Sequence, residues 1–183
     1  MQALLIVDIQ NDYFPGGAME LVGSREAAER AAGLLAAFRG RGLPIVHVRH
    51  VSLRPGATFF LPDTEGAKIH ASVAPAAGET VIEKHFPNAF RETALLERLR
   101  QEGIDRLTIA GMMTHMCIDT TTRAAADLGF ECRLAHDACA TRDLAFAGSK
   151  VAARDVHNAF VAALNGAFAK ASGAKEIEAG LAA

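Results

Sequence analysis

Three cysteines are all this chain has, Cys117, Cys132 and Cys139, and none stands in a CxxC pair. An odd count without ligand spacing excludes a disulfide scaffold and a zinc knuckle, and predicts a reducing, cytoplasmic setting. Charge of one sign is missing too: 19 Lys and Arg are mixed with 21 Asp and Glu, for a net charge of −2. That leaves no basic stripe for nucleic acid and no like-charge block for a disordered tail. Long apolar runs are absent. The first, "ALLIV", ends at Asp8 and follows no charged leader, which predicts neither a signal peptide nor a membrane span. No internal repeat is visible. The 183 residues, half of them hydrophobic, suffice for one domain, 1–183, with a large core.

What is present is alternation. Short β-rich runs at 3–7, 45–48, 80–83, 106–110 and 130–135 are separated by helical patterns. Helices are predicted from Ser24 to about Arg39, over 91–102, over 116–128 and over 151–170. Ser24 is the expected cap of the first, with Ala28, Ala31, Leu35 and Phe38 on one face. The segment "AKEIEAG" is read as a short sixth strand. Near-continuous apolar strands between helices imply a parallel sheet covered on both faces, a three-layer α/β fold. One stretch, 51–79, breaks the rhythm with Pro, Gly, Phe59 and Phe60. It reads either as an insertion packed on itself or as a lid over a pocket.

In open parallel sheets ligands bind beyond the carboxyl ends of the strands. Asp8 stands there after the first strand, Arg49 and His50 after the second, and Lys84 after the third. Cys117, in "GMMTHMC", follows the fourth, and Asp137 the fifth. An acid, an ammonium and a thiol thus share one rim. A helix N-terminus and a nearby ammonium both favour a thiolate, so the Cys117 pKa is expected near 7. A carboxylate beside the thiol can take its proton and return it to a leaving amine. Taken singly, each has a plainer reading: Cys117 as core, Asp8 as a turn cap, Lys84 as a solvated charge.

The blocks "LLIVDIQNDYF", "VIEKHFPNAF" and "GMMTHMCIDTTTRAAADLGF…AHDACAT" resemble the three signature blocks of the isochorismatase-like cysteine hydrolases. The resemblance runs from about Ala3 to about Ala171. It implies a Rossmann-like sheet with strand order 3-2-1-4-5-6 and a catalytic triad of Asp8, Lys84 and Cys117. It also implies a non-proline cis peptide between Met112 and Met113, with the backbone amides of Met113 and Cys117 facing the oxyanion. The implied reaction is attack by the cysteine on an amide or ureido carbonyl, expulsion of ammonia or an amine, and hydrolysis of the thioester.

Departures from the family's branches narrow this. The Asp-x-His metal motif of nicotinamidase-like members is replaced by "VRHVS", so no metal and no cofactor is expected, and an assembly of His50, His70 and His85 has no ligand spacing. Members that cleave a vinyl ether lack the cysteine that this chain keeps. Gln10, Tyr13, Arg49, His50, Phe59, Asn88 and Thr114 are the candidate substrate-binding residues. His115 is read as a pocket-wall or subunit-contact residue, Asp137 and Arg123 as structural, and His157, Cys132 and Cys139 as packing. The leading reading is a metal-independent amidohydrolase of a small carboxamide, carbamoyl or ureido compound, in a homo-oligomer (dimer or tetramer) that binds neither nucleic acid nor membrane. The alternatives are a redox sensor with Cys139 as resolving thiol and a catalytically idle assembly subunit.

Overall fold

The computed structural model describes residues 1–181. Its strands are β1 (Gln2–Val7), β2 (Ile45–His50), β3 (Thr80–Lys84), β4 (Arg106–Met112), β5 (Glu131–Ala140), β6 (Leu144–Phe146), β7 (Ser149–Val151) and β8 (Lys170–Ser172). Its α-helices are α1 (Ser24–Arg39), α2 (Leu95–Gln101), α3 (Asp119–Asp127), α4 (Ala153–Leu164) and α5 (Ala174–Gly180). Six strands form one parallel sheet in the order β3-β2-β1-β4-β5-β8, while β6 and β7 pair as a separate antiparallel hairpin. The Rossmann-like order is the expected one, with β8 filling the sixth place.

The central strand β1 shows why both faces must be covered. Leu4 and Ile6 join the core with Leu34 and Phe38 of α1 and Ile177 of α5. Leu5 and Val7 join the opposite core with Leu95 and Leu99 of α2, Ala125 of α3 and Leu164 of α4. A period of two sends alternate residues to opposite faces, and here both faces are apolar.

Several expected boundaries move. "AKEIEAG" is the helix α5, not a strand; the sixth strand is the shorter "KAS" before it. Asp137 Oδ1 accepts the Ala174 N–H at 2.7 Å, which caps that helix from β5. The expected 151–170 helix ends at Leu164 to release β8. Ser24 does not cap α1: it is buried inside the first turn, and Gly23 precedes it at φ 75°. Strand β5 runs on to Ala140 through a register shift opposite Ile109 and Gly111, which turns the polar His136 and Asp137 aside and lets pairing resume at Gly111–Cys139. The hairpin of β6 and β7, with no signal in the sequence reading, leaves Phe146 85% exposed.

Candidate active site

Three strand ends bring the candidate triad together. Asp8 follows β1 directly, in the left-handed region at φ 53°, with its N–H donated to Val48 O at 2.9 Å. Aspartate is one of the few residues that enters this region at small cost. Lys84 ends β3, in register with His50 at the end of β2. Cys117 lies in a tight turn, Thr114–Ile118, between β4 and α3, held by the Met116 and Ile118 N–H groups donating to Met113 O. Gly111 makes room for this arrangement: a Cβ there would lie 1.9 Å from Val7 O, and its φ is 140°. The Met112–Met113 peptide bond is cis.

All three side chains are buried, Asp8 and Lys84 completely and Cys117 to 5% exposure. Lys84 Nζ lies 2.6 Å from Asp8 Oδ2. It donates to Cys117 Sγ at 3.3 Å, to His50 Nδ1 at 2.9 Å and to Phe86 O at 3.1 Å. The ion pair with Asp8 is close, but neither carboxylate oxygen makes a well-directed hydrogen bond among the described residues. Asp8 Oδ1 is therefore left free to meet the thiol.

The electrostatics correct one expectation. The Cys117 thiol is pushed up, not down: burial is the main cause and the Asp8 charge the next, and Lys84 offsets them only in part. Burial also raises the Asp8 carboxyl above the usual carboxylate range, against the pull of Lys84. Burial works most strongly against the Lys84 ammonium, but Asp8 and Cys117 together more than offset it and raise its pKa, so Lys84 stays charged. The resting site is thus an Asp8–Lys84 ion pair beside a protonated thiol, with the carboxylate strengthened as a base.

His50 is held neutral, its pKa lowered to about 3 by burial first and then by Lys84 and His85. An ammonium can only donate, so Nδ1 is the acceptor and the proton of His50 sits on Nε2. Ligand atoms of Asp8, His50 and Cys117 lie within 4.8 Å of one another, a spacing that would suit a metal ion. Lys84 Nζ already contacts all three, so the cluster has its cation. The other two histidines considered for a metal stand elsewhere: His85 Nδ1 donates to Val51 O, and the His70 ring stacks on Phe14 at 3.7 Å.

The thiol opens on a cavity of about 590 Å³. The 51–79 segment forms much of its wall through Leu53, Arg54, Phe59 and Phe60, which decides for a cover over a pocket. Asp12 ties this cover down by accepting the Phe60 N–H at 2.6 Å. Gly66 permits the close approach, since a Cβ there would lie 2.1 Å from Asp12 Oδ1.

Of the expected substrate-binding residues, Tyr13, His50 and Phe59 line the cavity, and Met113 lines it beside Cys117. Four others are turned to different work. Gln10 donates to His50 O and Ala67 O and accepts from the His50 N–H, bridging β2 to the cover. Arg49 points out and pairs with Glu83 at 2.7 Å. Asn88 accepts the Phe90 N–H. Thr114 is buried between Ala140 O and His157 Nδ1. His115 is bound to Thr141 Oγ1 and lies against Phe160 rather than on the cavity wall. Phe86, Met116 and Arg54 were missed, because loop side chains next to a strand end carry no periodicity to aim them. Cys132 and Cys139 are free and buried, as packing residues are, and the Cys139 thiol donates to Ala135 O. Asp137 caps α5, and Arg123 pairs with Asp119 across one turn of α3.

A parallel sheet carrying a thiol, a carboxylate and an ammonium in contact at its carboxyl edge is the arrangement of a cysteine-based hydrolase. The isochorismatase domain profile matches residues 2–176, and the chain belongs to the isochorismatase family. It is 51% identical over 167 residues to the isochorismatase family protein YddQ of Bacillus subtilis, covering 91% of this chain and 93% of that one. It is 34% identical over 143 residues to a maleamate amidohydrolase of Pseudomonas putida, covering 70% and 67%. The crystal structure of an isochorismatase hydrolase from Oleispira antarctica superposes with a TM-score of 0.94 at 54% identity, covering 97% and 96%.

Proposed function

We propose that this protein is a metal-independent cysteine amidohydrolase that cleaves the C–N bond of a small carboxamide, carbamoyl or ureido compound. The observation that carries the reading is the contact of buried Lys84 with both Asp8 and Cys117, with Cys117 on the wall of a cavity that is partly apolar. Lys84 at the centre of the only cluster with metal-like spacing among the described residues supports a mechanism without an ion. The likeness to an amidohydrolase supports the bond class.

Asp8 takes the thiol proton as Sγ attacks the carbonyl carbon, so the thiolate exists only while it is being used. Lys84 stays charged and steadies both the Asp8 carboxylate and the developing thiolate. The backbone N–H groups of Met113 and Cys117 receive the oxyanion. Asp8 then gives its proton to the nitrogen as the C–N bond breaks, releasing ammonia or an amine and leaving an acyl or carbamoyl group on Sγ. Water attacks that group, Asp8 takes the water's proton, and the acid product departs as the proton returns to sulfur.

Three free cysteines support a reducing compartment, and the exposed Phe146 and Val151 of the hairpin support assembly of copies of this chain. The test of the reaction is ammonia release from a panel of small amides and ureas, with intact mass spectrometry for an adduct on Cys117. The expected result is turnover that survives chelators and vanishes in Cys117→Ala. Turnover by Cys117→Ala, or turnover abolished by a chelator and restored by a metal, overturns it.

A further inference from the structure

Phe59, Phe60, Phe86, Met113 and Met116 form the apolar part of the cavity wall, Ser52, Arg54, Thr58, His85 and Glu92 also line it, and two further polar groups stand beside the triad. One is Tyr13, the only tyrosine of the chain, whose residue is 1% exposed. Its ring is clamped by Phe60 at 4.5 Å and Phe59 at 5.9 Å between centroids. Among the described residues its hydroxyl makes no hydrogen bond, yet it is not among the polar atoms sealed from solvent, so it faces the cavity. Burial, with Cys117 and Asp8 nearby, keeps the phenol well above its ordinary pKa and therefore as O–H.

The other is His50. Lys84 occupies Nδ1, which fixes the Nε2–H tautomer. Nε2 has no protein partner among the described residues and is likewise not sealed, so this N–H also faces the cavity. Neither donor is used by the mechanism above. A buried donor without a partner loses hydrogen bonding that water or a ligand must restore. His50 has no acceptor left to offer, so what satisfies it must accept.

We infer that Tyr13 O–H and His50 Nε2–H form a donor pair selecting substrates that carry a second hydrogen-bond acceptor, a carbonyl or carboxylate oxygen, within a few bonds of the scissile amide. This rests on the amidohydrolase reading and narrows it from small amides at large to oxo-amides and half-amides. His50 and Tyr13 line the same cavity as Cys117, which keeps that acceptor on the side of the reacting carbon. An amide with only an alkyl tail leaves both donors unpaired, and sites built to bond a polar group reject analogues that lack it.

The test measures binding apart from turnover. Cys117→Ala protein is titrated by NMR with matched pairs: 3-oxobutanamide against butanamide, and 4-oxopentanamide against pentanamide. The oxo member of at least one pair is expected to bind about 10–100-fold more tightly, the span of two modest hydrogen bonds. Tyr13→Phe, which removes only the hydroxyl, is expected to shrink the ratio about tenfold or less while the plain amide keeps its Kd. Equal affinities within both pairs overturn the inference. So does a preference that Tyr13→Phe leaves intact, or the absence of saturable binding by any oxo-amide. Ammonia release by the wild type from the plain amides reports on the hydrolase reading separately, and turnover without oxo preference would sink this inference alone.

Discussion

Lys84 Nζ stands 3.3 Å from Cys117 Sγ, but 2.6 Å from Asp8 Oδ2. The ammonium is engaged with the carboxylate first, so it neutralises the base's charge more than it acidifies the thiol. Asp8 consequently acts on Cys117 in two opposed ways. Its charge discourages the thiolate at rest, and in the proposed reaction its basicity takes the proton when a carbonyl arrives.

Asp8→Asn should separate these effects. Removing the charge lowers the Cys117 pKa, since Asp8 is one of the causes that raise it. Alkylation of Cys117 should begin at lower pH than in the wild type while amide turnover falls by about 10²–10⁴-fold. Site-resolved alkylation against pH, paired with ammonia release, checks both. A variant that is slower in alkylation as well as turnover would contradict this electrostatic order.

Cys132 and Cys139 are raised by burial to about 11 and about 12. A folded pKa above the unfolded value means that stability is fully present below the unfolded pKa of about 8.5 and is lost as pH rises towards the folded values. Each such thiol steepens the loss by up to about 1.4 kcal/mol per pH unit in that window. Thermal melts between pH 8 and 11 should show a falling Tm, with a shallower fall in the Cys132→Ala/Cys139→Ala variant. Parallel curves for the two proteins would count against it.

Glu79 anchors the far end of the sheet. It accepts from Arg39 at 2.7 and 2.8 Å and bonds His47 Nε2 at 2.9 Å, and Arg39 foremost lowers its pKa to about 2. Its contribution is therefore present above the unfolded pKa near 4.5 and lost as pH falls towards 2. Glu79→Gln should cost about 1.5–3 kcal/mol at neutral pH, the range for hydrogen bonds to charged groups. Denaturant melts should show this gap closing in acid. A gap independent of pH would mean that packing, not charge, is what the variant loses.

Gly111→Ala should be among the most damaging single-methyl changes in the chain. It sets a Cβ against Val7 O and demands φ 140° of a residue with a side chain. Overpacking and strain together should cost roughly 2–6 kcal/mol. Soluble yield and melting temperature check it, and a variant as stable as the wild type would show that β1 and β4 can move apart.

Asp12→Ala releases the cover over the cavity by leaving the Phe60 N–H without its acceptor. KM for a hydrolysed amide should rise about 10-fold or more with a smaller change in kcat, because the wall is loosened while the triad is untouched. An unchanged KM would show that Phe60 is held by its aromatic contacts alone.

The triad was legible in the sequence because each member ends a strand or opens a helix, and parallel topology sends all such ends to one edge. Side-chain facing was not. Arg49 and His50 are consecutive on β2, and one residue of register decides which meets the cavity. Pairing of Arg49 with Glu83 and of His50 with Lys84 gave the site to the histidine, and nothing local distinguishes the two. The same limit hid β8 and α5. "AKEIEAG" has few apolar residues for either period, and Asp137, distant in sequence, supplies the cap that makes it a helix. The acidity expected of Cys117 from its ammonium neighbour is reversed by burial, which depends on the packed surroundings and leaves no local mark in the sequence.

Lys84 rides on β3, the outermost strand on its side of the sheet, and meets Asp8 and Cys117 only after β2 and β1 have taken their places. Without β3 in place, Cys117 and Asp8 would stand at the edge of β1 and β4 with no ammonium between them. Completion of the sheet quiets that sulfur and arms it in the same step. Between turnovers the finished enzyme keeps its reactive atom in reserve, answering to a seated substrate rather than to whatever collides with the surface.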